Sequence, residues 1–281
     1  MPTRSGVGSG AEMQVLGLCR FSYLGRGGFK VDHDSLEERR AFLYDPRRMD
    51  ERFRYFEAIT LPSVQAQTDP DFTFLIATGD CFPDIYMERL AALTADIPQT
   101  VIRRYPPMKH RQAMARALKD ARVEDGAPHL QFRLDDDDAM GVDFVARFRQ
   151  TARDLRPLWD RHPAIAVDFN TGYVFRAGPR GLEVVAYKYP YSAIALGVIL
   201  QPGVQEGIMH HGHHKLWTAM PTITFPGDDM MLRGHNEFND SRMKGGARQF
   251  DYQPLTPEQE VHFRARFGID NARVRALFSG G

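Results

Sequence analysis

Four consecutive aspartates, Asp135 to Asp138, are the residues best equipped for chemistry in this 281-residue sequence. Neighbouring carboxylates repel, so such a run is destabilising unless a cation or a basic group offsets it. A solvated acidic turn is the plain explanation of any charge run, but the flanks argue against it here. His129, Leu130, Gln131 and Phe132 precede the run as a buried strand, and Ala139 and Met140 follow it instead of further polar residues. An EF-hand loop begun at Asp135 has Met140 where glycine is required and Ala146 where glutamate is required. Begun at Asp136, it gains Gly141 but meets Arg147 at the last ligand position. A DDxxD motif fails at Ala139. An aspartyl-phosphate nucleophile typically follows the first strand, which here leads into Arg20, Phe21 and Ser22. The remaining reading is an Asp-x-Asp metal site, with Asp135 and Asp137 sharing one hard cation and Asp138 assisting. Mg2+ or Mn2+ held this way keeps positions open for phosphate oxygens. The chemistry that uses such an ion is departure of a nucleoside diphosphate, whose growing charge the metal neutralises.

The elements that must position these groups follow from hydropathy and breakers. Gln14 to Phe21 reads as a buried first strand. Its glycine-rich sequel (Gly25, Gly27, Gly28) is not the dinucleotide fingerprint, because Lys30 stands where the third glycine belongs. Lys30 to Asp50 reads as a charged, irregular surface insertion. Glu51 to Ser63 has Phe53, Phe56, Ile59 and Thr60 at helical spacing, with Pro62 as its stop. Strands are expected at Phe72 to Ala77, Thr100 to Arg104 and His129 to Leu134, and helices at Tyr86 to Leu93, His110 to Arg122 and Phe144 to Leu155. Alternating strands and helices imply a mostly parallel sheet with helices on both faces, and ligands outside the carboxyl ends of its strands. The four aspartates occupy such an end. Short β-like runs at Ala164 to Phe169, Gly172 to Phe175 and Leu182 to Tyr187 suggest antiparallel material, and Pro257 to Phe267 one last helix.

Composition narrows the function classes. Lys plus Arg and Asp plus Glu are each 36, so the formal net charge is zero. That disfavours a general nucleic-acid binder, which needs a basic excess, and a polybasic membrane anchor. A charged ligand must be met by a local site. Two cysteines, Cys19 and Cys81, make no disulfide framework. No apolar stretch reaches the ~18 residues of a membrane span. Residues 1–12 read as a flexible leader without a signal-peptide core, and a cytoplasmic location is expected. Residues 13–281 are expected to form one domain, with a nucleotide-binding half to residue 155 and an acceptor-side half after it.

The segment Gln131 to Ala139 resembles the Asp-x-Asp region of GT-A-fold glycosyltransferases. More specifically, the chain resembles the bacterial rhamnosyl transferase family. The supporting pieces, in order, are Arg20-Phe21-Ser22, Leu61 to Thr68 leading to Phe72 to Ile76, and Arg233-Gly234-His235-Asn236. The resemblance spans Met13 to about Ser241. It implies an α/β, GT-A-like mixed sheet and transfer of a sugar, rhamnose by the family's description, from a dTDP- or UDP-linked donor to a saccharide or lipid-linked acceptor. It further implies that Arg20 and Ser22, at the end of the first strand, receive the nucleotide. Arg111, at a helix start, suits the diphosphate, since arginine forks bind phosphate bidentately. Arg103 is expected near the same cleft, with Asp135 and Asp136 facing the donor. His235 is expected as a further metal ligand from a late loop, imidazole being better tolerated by Mn2+ than Mg2+.

If the enzyme inverts, a general base must take the acceptor proton; Asp229 and Asp168 are the candidates. His210, His211, His213 and His214 are too tightly spaced for one zinc ion and read as a loop lining the acceptor site or as surface. Tyr187, Tyr189, Tyr191 and Trp217 offer stacking faces for a sugar, though ordinary packing explains the tyrosines as well. Asn239-Asp240-Ser241 matches a glycosylation acceptor, which has no force without secretion. The alternatives are a non-catalytic nucleotide- or carbohydrate-binding protein on a GT-A-like scaffold and a metal-dependent phosphatase or nucleotidyltransferase.

Overall fold

The computed structural model describes residues 13–26, 35–124, 126–236 and 250–280. The expected leader, Gly27, Gly28, residues 30–34 and Asn239-Asp240-Ser241 lie outside these residues.

The chain begins with β1 (Gln14–Arg20), followed by α1 (Leu36–Leu43) and α2 (Pro46–Tyr55). A π-helical turn, Phe56–Thr60, joins α2 to α3 (Leu61–Gln65). Next come β2 (Thr73–Gly79), α4 (Asp84–Thr94), β3 (Thr100–Tyr105), α5 (His110–Ala121) and β4 (His129–Arg133). After the aspartates follow β5 (Ala139–Met140), α6 (Phe144–Asp154) and α7 (Arg156–Trp159). The remaining strands are β6 (Ala164–Phe169), β7 (Thr171–Gly178), β8 (Gly181–Lys188), β9 (Leu196–Leu200), β10 (Thr222–Phe225), β11 (Met231–Gly234) and β12 (Gln253–Pro254). Two helices, α8 (Pro257–Phe267) and α9 (Asn271–Ser279), end the chain.

A seven-stranded sheet has the order β10-β6-β9-β4-β1-β2-β3. β1 is parallel to both β2 and β4, and β2 to β3; β9 runs antiparallel to β4 and β6. Side chains alternate across a strand, so β1 feeds two cores. Val15 and Cys19 join Phe53, Phe74, Phe132 and Phe148 on one face. Leu16 and Leu18 join Leu75 and the α5 residues Ala113, Met114, Ala117 and Leu118 on the other. That apolar stripe of α5 is the one its spacing predicts, and it holds the helix start at the carboxyl ends of β1 and β4. A second sheet, β12-β8-β7-β11-β5, closes over the same end.

Three expectations need correction. Residues 36–50 are not an irregular insertion. Ser35 caps α1 by accepting from the Glu38 N–H at 3.1 Å, and Asp45 caps α2 ahead of Pro46 at its first position. Both are favoured starts, and Arg48 and Met49 are buried. Pro62 does not stop the helix at Ser63. The π turn before it changes the hydrogen-bond pattern where a proline would otherwise clash with the preceding turn, and α3 continues through it. The carboxyl terminus carries two helices rather than one. Gly268, at φ +71°, turns the chain between them.

Candidate active site

The aspartates sit where β4 runs out. Leu134 still donates its N–H to Leu18 (3.0 Å), and the Asp138 N–H reaches back to the Asp135 carbonyl (3.2 Å), so the run is a tight turn. Exposure alternates along it: Asp136 and Asp138 are buried, whereas Asp135 and Asp137 are partly open. Asp136 turns inward to an ion pair with Arg52 of α2. Asp138 accepts the Gly234 N–H at 2.9 Å, and its carbonyl accepts from the Thr60 hydroxyl at 2.8 Å. Asp137 accepts from the Asn236 side chain at 2.7 Å. β11 therefore clamps the turn from the side. Its glycine is required: a Cβ on Gly234 would stand 2.3 Å from the Asp137 carbonyl oxygen.

The turn forms one side of a cavity of about 300 Å3 at the carboxyl ends of β1 and β4. Five arginines share its lining: Arg20, Arg52, Arg111, Arg133 and Arg233. The loop Ser192 to Ile194 and the residues Gly212, His213 and His214 form the remaining wall. Charges in this enclosure shift one another. Burial pushes the Asp135 carboxyl up, but Arg133 and Arg20 outweigh it and hold Asp135 below the ordinary carboxylate range. Burial raises Asp136, against the pull of Arg52. Asp137 is pushed up to about 7, first by burial and then by Asp136 and Asp135. Asp138 is raised by burial, then by Asp137 and Asp135. Arg133 is lowered by desolvation, and its Nε has no hydrogen-bond partner among the described residues.

Residues 14–248 match the family described as "Putative rhamnosyl transferase". The chain belongs to that family. Its mixed α/β fold, a mostly parallel sheet flanked by helices, is the one expected from the sequence. No curated protein sequence matches it. Among solved structures it is similar to residues 1–349 of S. aureus TarS in complex with UDP-GlcNAc, at 11% identity and a TM-score of 0.44, over 81% of this chain and 60% of that one. The same region in complex with UDP gives 11% identity and a TM-score of 0.42, over 79% and 61%. The structure described as a putative nucleotide-diphospho-sugar transferase from Desulfovibrio desulfuricans G20 gives 10% identity and a TM-score of 0.37, over 96% of this chain and 94% of that one. The chain spans about 60% of the TarS region it matches.

Within this rhamnosyl transferase-family chain, the cavity brings together Arg20, Arg111 and all four aspartates of the sequence prediction. It does not include the others. Ser22 is buried beneath α2, at φ +43°, and accepts from Arg48 at 3.2 Å. Arg103 points out from the edge strand β3, with Nη1 3.3 Å from the Ile102 carbonyl. It lines a separate groove beside Asp120. An edge strand separated from β4 by both β1 and β2 is too far along the sheet to reach the turn. Asp229 pairs with His262 of α8 at 2.9 Å, outside the cavity. Asp168 is buried on β6, where it accepts the Tyr191 N–H (3.1 Å) and the Thr224 hydroxyl (3.3 Å). His235 flanks the turn without lining the cavity. Its Nδ1 is 2.6 Å from the Tyr252 hydroxyl, and its ring packs on Phe250. Among the described residues, no group of three or more His, Cys, Asp or Glu side chains is arranged to hold a metal.

The histidine run divides. His210 accepts the Gly207 N–H at Nδ1 (2.9 Å) and His211 faces Glu206, while His213 and His214 line the cavity. Tyr187 and Tyr189 stack at 5.5 Å, and Arg233 lies over Tyr189. Sequence reasoning missed Arg52, which falls in the segment expected to be helical but was given no role there, and missed Arg233, Gly234 and Asn236 as individual contributors. The signal for Arg52 was present: Met49, Phe53 and Phe56 give α2 an apolar stripe, which fixes where Arg52 points.

Proposed function

We propose that this chain transfers a sugar, rhamnose by its family's description, from a nucleotide-diphosphate donor in the arginine–aspartate cavity to a saccharide or lipid-linked hydroxyl. The observation that carries this is the meeting of Asp135 and Asp137 with Arg20, Arg111, Arg133 and Arg233 around one cavity. Arginines suit a diphosphate because their planar forks match phosphate oxygens.

A divalent cation fits the donor set. Asp137, raised to about 7 by burial and carboxylate neighbours, is a group whose ionised form a cation would stabilise. Asp135 and Asp137 would supply two carboxylates, leaving positions for phosphate oxygens and water, as suits Mg2+. Bound there, Mn2+ or Mg2+ would neutralise charge on the leaving diphosphate. Arg52 keeps Asp136 turned away, so the open pair is Asp135 and Asp137. The Tyr187–Tyr189 stack beside Arg233 offers the acceptor an aromatic face.

The test is a donor screen with dTDP-rhamnose and UDP-sugars in Mn2+, read as nucleoside diphosphate release. Release that disappears in Asp135→Ala/Asp137→Ala protein of unchanged circular dichroism supports the reading. Release unaffected by that double change contradicts it.

A further inference from the structure

We infer that His213 is the proton acceptor for the incoming hydroxyl, held in one tautomer by the Tyr191 carbonyl, with Asp168 as the residue that positions that carbonyl. This rests on the glycosyl-transfer reading above and names a group in its cavity.

The geometry is specific. His213 lines the cavity, and its Nδ1 is 2.6 Å from the Tyr191 carbonyl oxygen. A carbonyl can only accept, so Nδ1 carries the hydrogen. Nε2 then holds a lone pair, and it has no hydrogen-bond partner among the described residues. The five arginines of the cavity lining are donors only and cannot take a proton at neutral pH.

The Tyr191 carbonyl is itself fixed. Tyr191 is at φ +56° and Ala195 at φ +52°, a backbone region that non-glycine residues rarely adopt. These two residues bracket Ser192 to Ile194, the loop that lines the cavity. Such strained positions persist only where surroundings over-determine them, and they cluster at functional sites. The over-determining contact is Asp168: its Oδ2 accepts the Tyr191 N–H, while Oδ1 is buried without a partner among the described residues. The chain of contacts runs from Asp168 through the Tyr191 peptide to the His213 ring. Asp168 thus acts on the reaction through another group, not as the base itself.

The step balances without a co-reactant. The acceptor oxygen forms a bond to the anomeric carbon. The bond from that carbon to the diphosphate oxygen breaks, and its electron pair leaves with the nucleoside diphosphate. The hydroxyl proton moves to Nε2 and gives an imidazolium that later loses it to water. Without donor, burial first, then Arg133, His214 and Arg233 depress the basicity of His213; Asp135 is the carboxylate facing it. A bound diphosphate would offset the arginine charge, so the base gains strength when the donor arrives.

The test compares His213→Gln, His213→Ala and Asp168→Asn with wild type. UDP and dTDP titrated by calorimetry should bind all four within about threefold. Turnover with the active donor and a methyl glycoside or water as acceptor should fall about 100-fold or more in both His213 variants. The acid limb of kcat against pH should vanish with it, and added imidazole should restore rate to His213→Ala. Two-bond 1H–15N spectra of the wild type should show one Nδ1–H histidine that is absent in His213→Gln, and that is perturbed in Asp168→Asn. Wild-type rates in His213→Gln, a nucleotide affinity loss matching the rate loss, or an unchanged acid limb without imidazole rescue would each overturn the inference. A wild-type protein inactive with every donor would instead overturn the parent reading, and this inference with it.

Discussion

The chain contains two clusters of adjacent aspartates with opposite fates. Asp228 and Asp229 sit on the surface, paired with Arg147 at 2.5 Å and His262 at 2.9 Å. The Arg147 hydrogen bond holds Asp228 below the ordinary carboxylate range. Asp135 to Asp138 are enclosed, with Asp136 paired to Arg52. Their carboxylates crowd one another until Asp137 rises to about 7. The same residue type is a neutralised surface feature in one place and an unsettled electrostatic site in the other. What separates them is enclosure: the turn at the end of β4 is roofed by β11 and faces arginines across a cavity, whereas the loop before β11 meets solvent.

The largest expected effect separates the clusters by activity. Asp135→Ala/Asp137→Ala should lower nucleoside diphosphate release about 1000-fold, the scale of losing a main electrostatic contribution to a transition state. Asp228→Ala/Asp229→Ala should change it by less than about threefold, since surface ion pairs contribute little. Equal losses would erase the distinction. Next, Arg52→Ala leaves Asp136 buried beside other carboxylates and should cost about 3 kcal/mol in urea unfolding. Arg147→Ala should cost under about 1 kcal/mol.

A smaller effect tests the β11 clamp. Gly234→Ala places a methyl group against the Asp137 carbonyl and should cost about 1–3 kcal/mol, with weaker nucleotide binding in calorimetry. The smallest effect is a pH dependence. Asp137 has a folded-state value of about 7 against 3.8 for the free group. A raised carboxylate contributes stability that is full below the unfolded value and lost as pH rises through about 7. Metal-free protein should therefore melt at lower temperature as pH rises through that window. Mn2+ should recover the loss, and Asp137→Asn should flatten the profile in thermal melts.

Much of this arrangement is legible in the sequence. The strand running into Asp135 announces both the turn and its place at a carboxyl end. The stripe Ala113, Met114, Ala117 and Leu118 orients α5 and so delivers Arg111. What escapes is what depends on residues far apart in sequence. Ser22 follows β1 and Arg103 lies within β3, yet Ser22 is covered by α2 and Arg103 lies on an edge strand. Asp229 precedes β11, but a local pairing with α8 takes it out of the site. Asp168 looks like a base because it is a carboxylate in a buried strand; its contacts to the Tyr191 backbone come from a loop 23 positions away. β9, the antiparallel strand between β4 and β6, lies in the apolar run Ala193 to Leu200, which does not announce a pairing because periodicity does not reveal partners.

The central claim is that the enclosed cluster, not the surface one, receives the diphosphate of the donor. The most direct measurement is a calorimetric titration of UDP and dTDP, with and without Mn2+, into wild type and the two double variants. The account predicts Mn2+-dependent binding in wild type and in Asp228→Ala/Asp229→Ala, weakened about 100-fold in Asp135→Ala/Asp137→Ala. Equal affinity in all three proteins, or a loss confined to Asp228→Ala/Asp229→Ala, would contradict it.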